Sequence, residues 1–334
     1  MIFKAVLFRL LPLVGSLLLC LVGLELAARV LLGRPTMHLG IEMWKYAKDV
    51  KLRSADPQIG HRHRPNVRRQ LMGVDVQINS LGLRDVERQR TKPAMTHRIL
   101  VLGDSITFGW GVPFEKTFCQ VLEKSLNADS PIPGSRIEVL NAGVGNLNTA
   151  MEVAYFKNEG LSLQPDLVLL AWFINDAEPR PLPRRNWLAH HSYAYVWLDS
   201  AIDAGMRRTR GRPDYREYYA GLYRDANPGW PQCRQAIREL AEVCQARGIP
   251  CGVVLVPELH SLGSGYEFSG VHAAVRKECE EAGLPVWDLL DAFPADGDAR
   301  RYWVSPEDAH PNAAANELMA AEIDSDLRPL LLNR

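Results

Sequence analysis

From Arg98 to the C-terminus, short apolar runs of strand length alternate with segments of helical periodicity. Few folds accept that rhythm, and it is the signature of a parallel sheet covered by helices on both faces. The strand candidates are 98–102, 136–140, 166–172, 251–256 and 285–289. Helical patterns occupy 115–128, 149–160, 231–247 and 270–282, and a closing helix follows Pro311. Right-handed crossovers then predict a doubly wound, three-layer α/β/α domain. Five strands fit the flavodoxin-like order 2-1-3-4-5, although strand order itself is not readable from a sequence. At 334 residues the chain has room for one large α/β domain or two small ones.

One stretch breaks the rhythm. Residues 177–230 are rich in Pro, Arg, Trp and Tyr and directly follow the third strand. A long insertion at the carboxyl end of a strand is expected to overhang a site as a lid or specificity wall.

The N-terminus stands outside the core. From Ala5 to Leu24 nearly every residue is apolar, interrupted by Arg9 and Pro12. At about 1.5 Å per residue, some 20 residues cross a bilayer. Lys4 and Arg9 favour a cytoplasmic N-terminus. Leu26-Ala27-Ala28 is a poor cleavage site, with Leu where a small side chain is preferred, and Leu17-Leu18-Leu19-Cys20 lacks the small residue a lipid-attachment site wants. The expectation is therefore an uncleaved anchor over residues 1–32, spanning the cell membrane once, with the remainder extracytoplasmic, periplasmic or extracellular. Glu25 and Arg29, one turn apart, are placed to pair near the outer interface. Residues 33–97 read as a polar connector with one edge strand, Val74-Asp75-Val76-Gln77-Ile78-Asn79, and residues 98–334 as the functional domain.

Charge excludes one class of partner. Lys+Arg and Asp+Glu number 39 each, a balance that does not call for nucleic acid. The basic runs His61-Arg62-His63-Arg64 and Arg207-Arg208-Thr209-Arg210 are expected to be solvated loop faces. No Cys or carboxylate joins His61 and His63 at ligand spacing, so no metal is expected. Of six cysteines, Cys20 lies in the apolar run; Cys119, Cys233, Cys244, Cys251 and Cys279 have no framework spacing and read as buried small hydrophobes. A Cys244–Cys251 bridge stays open.

Four blocks, each at a strand's carboxyl end or in an adjoining loop, carry chemistry. In open α/β sheets that edge is where ligands bind. The first is Gly103-Asp104-Ser105, where a serine opens a helix. The second is Asn141-Ala142-Gly143-Val144-Gly145-Asn146, the third Phe173-Ile174-Asn175-Asp176, and the fourth Glu307-Asp308-Ala309-His310-Pro311. Each alone is an ordinary turn. Together they supply what serine-based ester cleavage needs: a nucleophile, a base, a carboxylate to orient it, and oxyanion donors.

These blocks, with Phe108-Gly109-Trp110-Gly111 after the serine, resemble the SGNH (GDSL-type) hydrolase family over residues 98–328. The resemblance implies Ser105 as nucleophile, His310 as base, and N–H donors from Ser105 and from Asn146 or Gly145, with the Asn175 amide. The chain departs from the family pattern by carrying Asn146 and Phe173 where glycine is usual. A two-residue spacing selects Asp308 as the partner of His310, a three-residue spacing Glu307; the shorter Asp308 is favoured. No cofactor is implied. Glu258 and His260 face the same rim, with substrate contact and a structural role both open. The expected activity is a serine esterase acting on a small-molecule or carbohydrate ester, such as O-acetyl groups of an envelope carbohydrate. The alternatives are an O-acyltransferase on an extracytoplasmic polysaccharide and a non-catalytic carbohydrate-binding relic.

Overall fold

The computed structural model describes residues 2–34, 38–180, 187–209, 215–263 and 265–332. Helix α1 (Ile2–Leu32) carries the apolar run. Its stretch Leu11–Leu32 is long and apolar enough to cross a membrane, and only 6% of the window is buried against protein. The expected pair forms, Arg29 Nε lying 2.7 Å from Glu25 Oε1.

Residues 38–97 do more than connect. Helix α2 (Leu39–Lys45) runs into a π-turn at Tyr46–Val50. Two small antiparallel pairs follow, β1 (Lys51–Arg53) with β2 (His61–His63), and β3 (Arg68–Leu71) with β4 (Val74–Gln77). The expected strand at 74–79 is thus half of a hairpin and does not edge the main sheet. Tyr46, Val50, Leu71, Met72, Val76 and Ile78 form a buried cluster with Phe108 and Trp110, beside the first site block. Nor is the run 61–64 a solvated loop face. His61 and His63 alternate onto one face of β2, and His63 is only 1% exposed. The side chains of the second basic run, 207–210, lie outside the described residues.

The main sheet is parallel and has five strands: β5 (Thr96–Gly103), β6 (Arg136–Asn141), β7 (Leu167–Trp172), β8 (Cys251–Leu255) and β9 (Val286–Asp288). Their spatial order is β6-β5-β7-β8-β9, the flavodoxin-like order expected. Alternate residues serve opposite faces. Leu100, Leu102, Val168, Leu170, Val253 and Leu255 enter one core, while Ile99, Val101, Leu167, Leu169 and Val254 enter the other. Both faces are buried, which is why the strands read as continuous apolar runs. On the chain's path, α3 (Ser105–Phe108) and α4 (Phe118–Ala128) follow β5, and α5 (Thr149–Asn158) follows β6. The insertion supplies α6 (Trp187–His191), α7 (Tyr193–Thr209) and α8 (Tyr215–Leu222). After it come α9 (Gly229–Arg247), α10 (Ser269–Glu281), the pair β10 (Trp303–Ser305) and β11 (Asp308–Pro311), and α11 (Ala313–Leu332). All six cysteines are free thiols; Cys119, Cys233, Cys244 and Cys279 are buried.

Arg84 locks the connector to the domain. Its side chain is fully buried, lies over the Phe108 ring, and donates to the carbonyls of Phe108, Gly109 and Val112. The Phe108 and Gly109 carbonyls end the helix that begins at Ser105, so one guanidinium fixes the exit of that turn. Gly109 O also accepts the Val112 N–H at 3.1 Å, so Arg84→Met strands the Phe108 and Val112 carbonyls, and is expected to cost at least about 2 kcal/mol, at roughly 1–3 kcal/mol for each stranded group. Chemical denaturation of the two proteins measures it, and equal stability would show that the carbonyls find other donors.

Candidate active site

Strand β5 ends at Gly103, where no larger residue fits: a Cβ there would lie 2.1 Å from Thr107 Oγ1. Asp104 then caps α3, accepting the Ile106 N–H at 2.8 Å. This places Ser105 at the first position of a four-residue helix. Ser105 Oγ lies 2.9 Å from His310 Nε2, and His310 Nδ1 lies 2.5 Å from Asp308 Oδ1. Asp308 also accepts the His310 backbone N–H at 3.1 Å and, through Oδ2, the Trp110 indole N–H at 3.1 Å. Burial alone would raise the Asp308 carboxyl, but the bonds from His310 and Trp110 outweigh it and hold the group below its ordinary value. Glu307, the other carboxylate weighed, is exposed.

Around the serine are candidate donors. Neither the Ser105 nor the Asn146 backbone N–H hydrogen-bonds to any described residue. Gly145, named with Asn146 as a candidate, is corrected: its N–H donates to the Tyr46 hydroxyl at 2.9 Å and is already occupied. Asn146 has φ 64°, in the left-handed region that glycine enters freely and asparagine tolerates. That conformation is one asparagine can hold at this position. Phe173 needs no such allowance, since it is absent from the positive-φ residues. Asn175 Nδ2 donates to Asp104 Oδ2 at 2.8 Å and keeps its second hydrogen.

The loop bearing Gly145 and Asn146 is held from outside by residues 46–63, which sequence reasoning missed. The Tyr46 hydroxyl accepts from Gly145 N–H and sits 2.7 Å from His63 Nε2. It therefore donates to His63, whose Nδ1 faces the Gly82 carbonyl at 3.3 Å. This chain requires a neutral His63, and burial pushes its pKa down to about 3. Lys51 Nζ donates to Gly145 O at 2.9 Å and to Asn146 Oδ1 at 3.3 Å, and burial brings its pKa down to about 7. His61 Nε2 reaches the same Gly145 carbonyl at 3.0 Å. The usable signal was the alternation of the two histidines, which marks a strand face.

Beneath Asn175 lies a buried acidic patch. Asp176 accepts from Thr149 Oγ1 at 3.1 Å and from the Phe173 N–H at 3.2 Å. Both Glu152 carboxyl oxygens are buried without a partner among the described residues. Burial, and then Asp176 with Asp104, push Glu152 well above the ordinary carboxylate range. Asp176 is pushed up likewise, by burial and then Asp104. Among the described residues no group of three His, Cys, Asp or Glu side chains is arranged to hold a metal ion.

The rim is aromatic. Helix α8 is tied over the site loops by Tyr215 Oη to Glu258 Oε1 (3.0 Å), Tyr218 Oη to Glu178 Oε1 (3.1 Å), and Tyr223 Oη, just past its end, to Ile174 O (2.8 Å). Below Tyr215, Glu258 and His260 repeat the local geometry of Asp308 and His310. His260 Nδ1 lies 2.5 Å from Glu258 Oε1, and its backbone N–H donates to the same carboxylate at 3.0 Å. The short 3-10 turn carrying His260 packs against β11.

Residues 101–318 match the sequence model of the GDSL-like Lipase/Acylhydrolase family. An arylesterase of Vibrio mimicus is 27% identical over 134 residues, a match spanning 40% of this chain and 64% of that protein. Among solved structures, a two-domain esterase active on acetylated mannans gives a TM-score of 0.45 at 16% identity, over 72% of this chain and 50% of that one. The psychrotrophic esterase EstA from Pseudoalteromonas sp. gives 0.40 at 16% identity, over 71% and 100%.

Glu152 yields a pH test. In the unfolded chain its carboxyl ionises near 4.5, while the folded state keeps the proton. The folded protein therefore binds more protons above that pH, and this group makes stability fall as pH rises. Glu152→Gln mimics the protonated form. Its melting temperature is expected to exceed wild type at about pH 8 and to converge with it at about pH 4. An offset that is the same at both would show that the folded carboxyl ionises normally.

Proposed function

The chain belongs to the GDSL-like lipase/acylhydrolase family, and from that premise we propose that it is a membrane-anchored serine esterase acting on carbohydrate esters outside the cytoplasm. The observation that carries the catalytic reading is the relay Asp308–His310–Ser105, with links of 2.5 and 2.9 Å. His310 Nε2 takes the Ser105 proton as Oγ attacks the ester carbonyl. The negative charge then develops on the carbonyl oxygen, facing the Ser105 and Asn146 N–H groups and the second hydrogen of Asn175 Nδ2. His310 returns the proton to the departing alkoxide, leaving an acyl-Ser105 and a free alcohol. Water, deprotonated by the same imidazole, attacks the acyl group, and the acid leaves as Ser105 recovers its proton. Asp308, held ionised and buried, stabilises the imidazolium without taking its proton.

The carbohydrate part of the reading is supported by His260. Glu258 fixes its Nδ1–H, which leaves Nε2 as an acceptor for a hydroxyl. The imidazole is 43% exposed and stands between Trp303, 4.6 Å away, and Tyr215, 5.2 Å away. An acceptor flanked by aromatic rings suits a polyhydroxylated ring better than an alkyl chain. Anchoring outside the cytoplasm is supported by the apolar helix Leu11–Leu32 and by Lys4 and Arg9 before it.

Ser105→Ala is expected to abolish ester hydrolysis and labelling by a fluorophosphonate while leaving the fold intact. Wild-type rates from that variant would overturn the assignment. Asp308→Asn is expected to lose several orders of magnitude in kcat, whereas Glu307→Gln loses about tenfold or less; the opposite ranking would make Glu307 the partner.

For His260→Ala, kcat/KM on an acetylated oligosaccharide is expected to drop at least about tenfold more than on p-nitrophenyl acetate, the loss of one good hydrogen bond. Equal losses on both would remove the support for a carbohydrate.

A further inference from the structure

The insertion divides into two parts with different neighbours. Helix α8 covers the site, but α7 packs against α1 and α2, and α6 packs against α7. Glu25, inside the apolar helix, accepts from Ser192 Oγ at 2.7 Å and from the first N–H groups of α7, Tyr193 at 3.2 Å and Ala194 at 3.1 Å. Arg29 Nη2 donates to the His191 carbonyl at 2.8 Å, and the Trp44 indole to that of Ala189 at 2.6 Å. The start of α7 is thus pinned to a defined height on α1.

That height is informative. Glu25 precedes Leu32, the last residue of the apolar span, by seven positions, or about 10 Å of helix. The span of 22 residues is about 33 Å long, close to the thickness of a bilayer's hydrocarbon core. If α1 fills that core, α7 begins about 10 Å inside its outer edge, within the depth at which interfacial helices bury an apolar face. The side chains agree. Trp197, Leu198 and Ile202 are 44%, 51% and 51% exposed, and share one face of α7 with Ala201, which is exposed as well. Trp187 on α6 is 67% exposed. The opposite face of α7 is occupied: Val196 is buried, and Tyr193 packs edge-on against Trp44. Two tryptophans beside the outer end of a spanning helix match the aromatic belt of the membrane interface.

We propose that α6 and α7 lie in the outer leaflet, with Trp187, Trp197, Leu198 and Ile202 among the acyl chains, so that the domain is seated on the bilayer and not merely tethered to it. The occupant of this surface is lipid because the surface continues that of α1, whose leucines and valines are exposed along the whole span. Thr209 and Tyr215 are six residues apart, a reach of at most about 20 Å. The α8 wall over the site therefore stands close to the membrane surface, where substrate would be met.

The proposal rests on the anchored reading of α1, and two measurements separate them. The full chain is reconstituted in phosphatidylcholine vesicles brominated along the acyl chains. Wild-type tryptophan fluorescence is expected to be quenched, and a Trp187→Phe, Trp197→Phe variant with unchanged near-ultraviolet circular dichroism to lose most of that quenching, since α1 contains no tryptophan. Equal quenching in both overturns the proposal. A polarity-sensitive fluorophore attached through Ile202→Cys, in a Cys20→Ser, Cys251→Ser background that leaves only the buried thiols, is expected to emit as in hydrocarbon. Water-like emission overturns the proposal, and oxidative dimerisation through that position overturns it in favour of a second copy of the chain. Alkaline carbonate extraction tests α1 itself: release from the vesicles removes the anchor and this proposal together, whereas retention with unquenched tryptophans removes this proposal alone.

Discussion

Parallel pairing is the constraint from which the rest of the molecule follows. Each strand of the main sheet is hydrogen-bonded in register to its neighbour and runs the same way, so every carboxyl end emerges at one edge. Val101 pairs with Asn141, Gly103 with Ala171, Trp172 with Leu255, and Leu255 with Asp288. The loops that begin at those residues therefore meet, although Ser105 and His310 are 205 positions apart in the chain. A slip of one residue would exchange the two apolar faces of a strand and move its loop as well. Continuous burial on both faces makes such a slip costly, and the geometry of the loops inherits that rigidity.

Polar groups near the serine are held by a different device. Residues 38–97 insert buried, hydrogen-bonded side chains under the loops: Arg84 beneath the end of α3, and Tyr46, His63 and Lys51 against Gly145 and Asn146. Buried polar atoms without partners cost about 1–3 kcal/mol each, so each bond in this network penalises arrangements that would break it. A neutral histidine and a lysine with its charge weakened by burial let that network exist without stranding an ion. On the opposite side, Glu152 and Asp176 solve the same problem by keeping protons.

The insertion couples the two ends of the molecule. Its first helices grip α1 through Glu25 and Arg29, and its last covers the loops after β7 and β8. A segment that reads as a single interruption of the βα rhythm thus performs two jobs, set by which faces its helices present.

Local pattern and chemistry were legible in the residues. Strand and helix positions followed from apolar periodicity, which burial imposes directly on sequence. The pairing of His310 with Asp308 was legible because the two share one short loop, where side-chain length and spacing decide the partner. The order of the five strands, the capture of the Gly145 N–H by Tyr46, the burial of His63 and the docking of α7 on Glu25 were not. Each joins residues tens to more than a hundred positions apart, and nothing in either segment alone names the other. Tertiary structure decided them, because a buried hydrogen-bond donor takes whichever acceptor packing brings within 3 Å, and packing is a property of the whole chain.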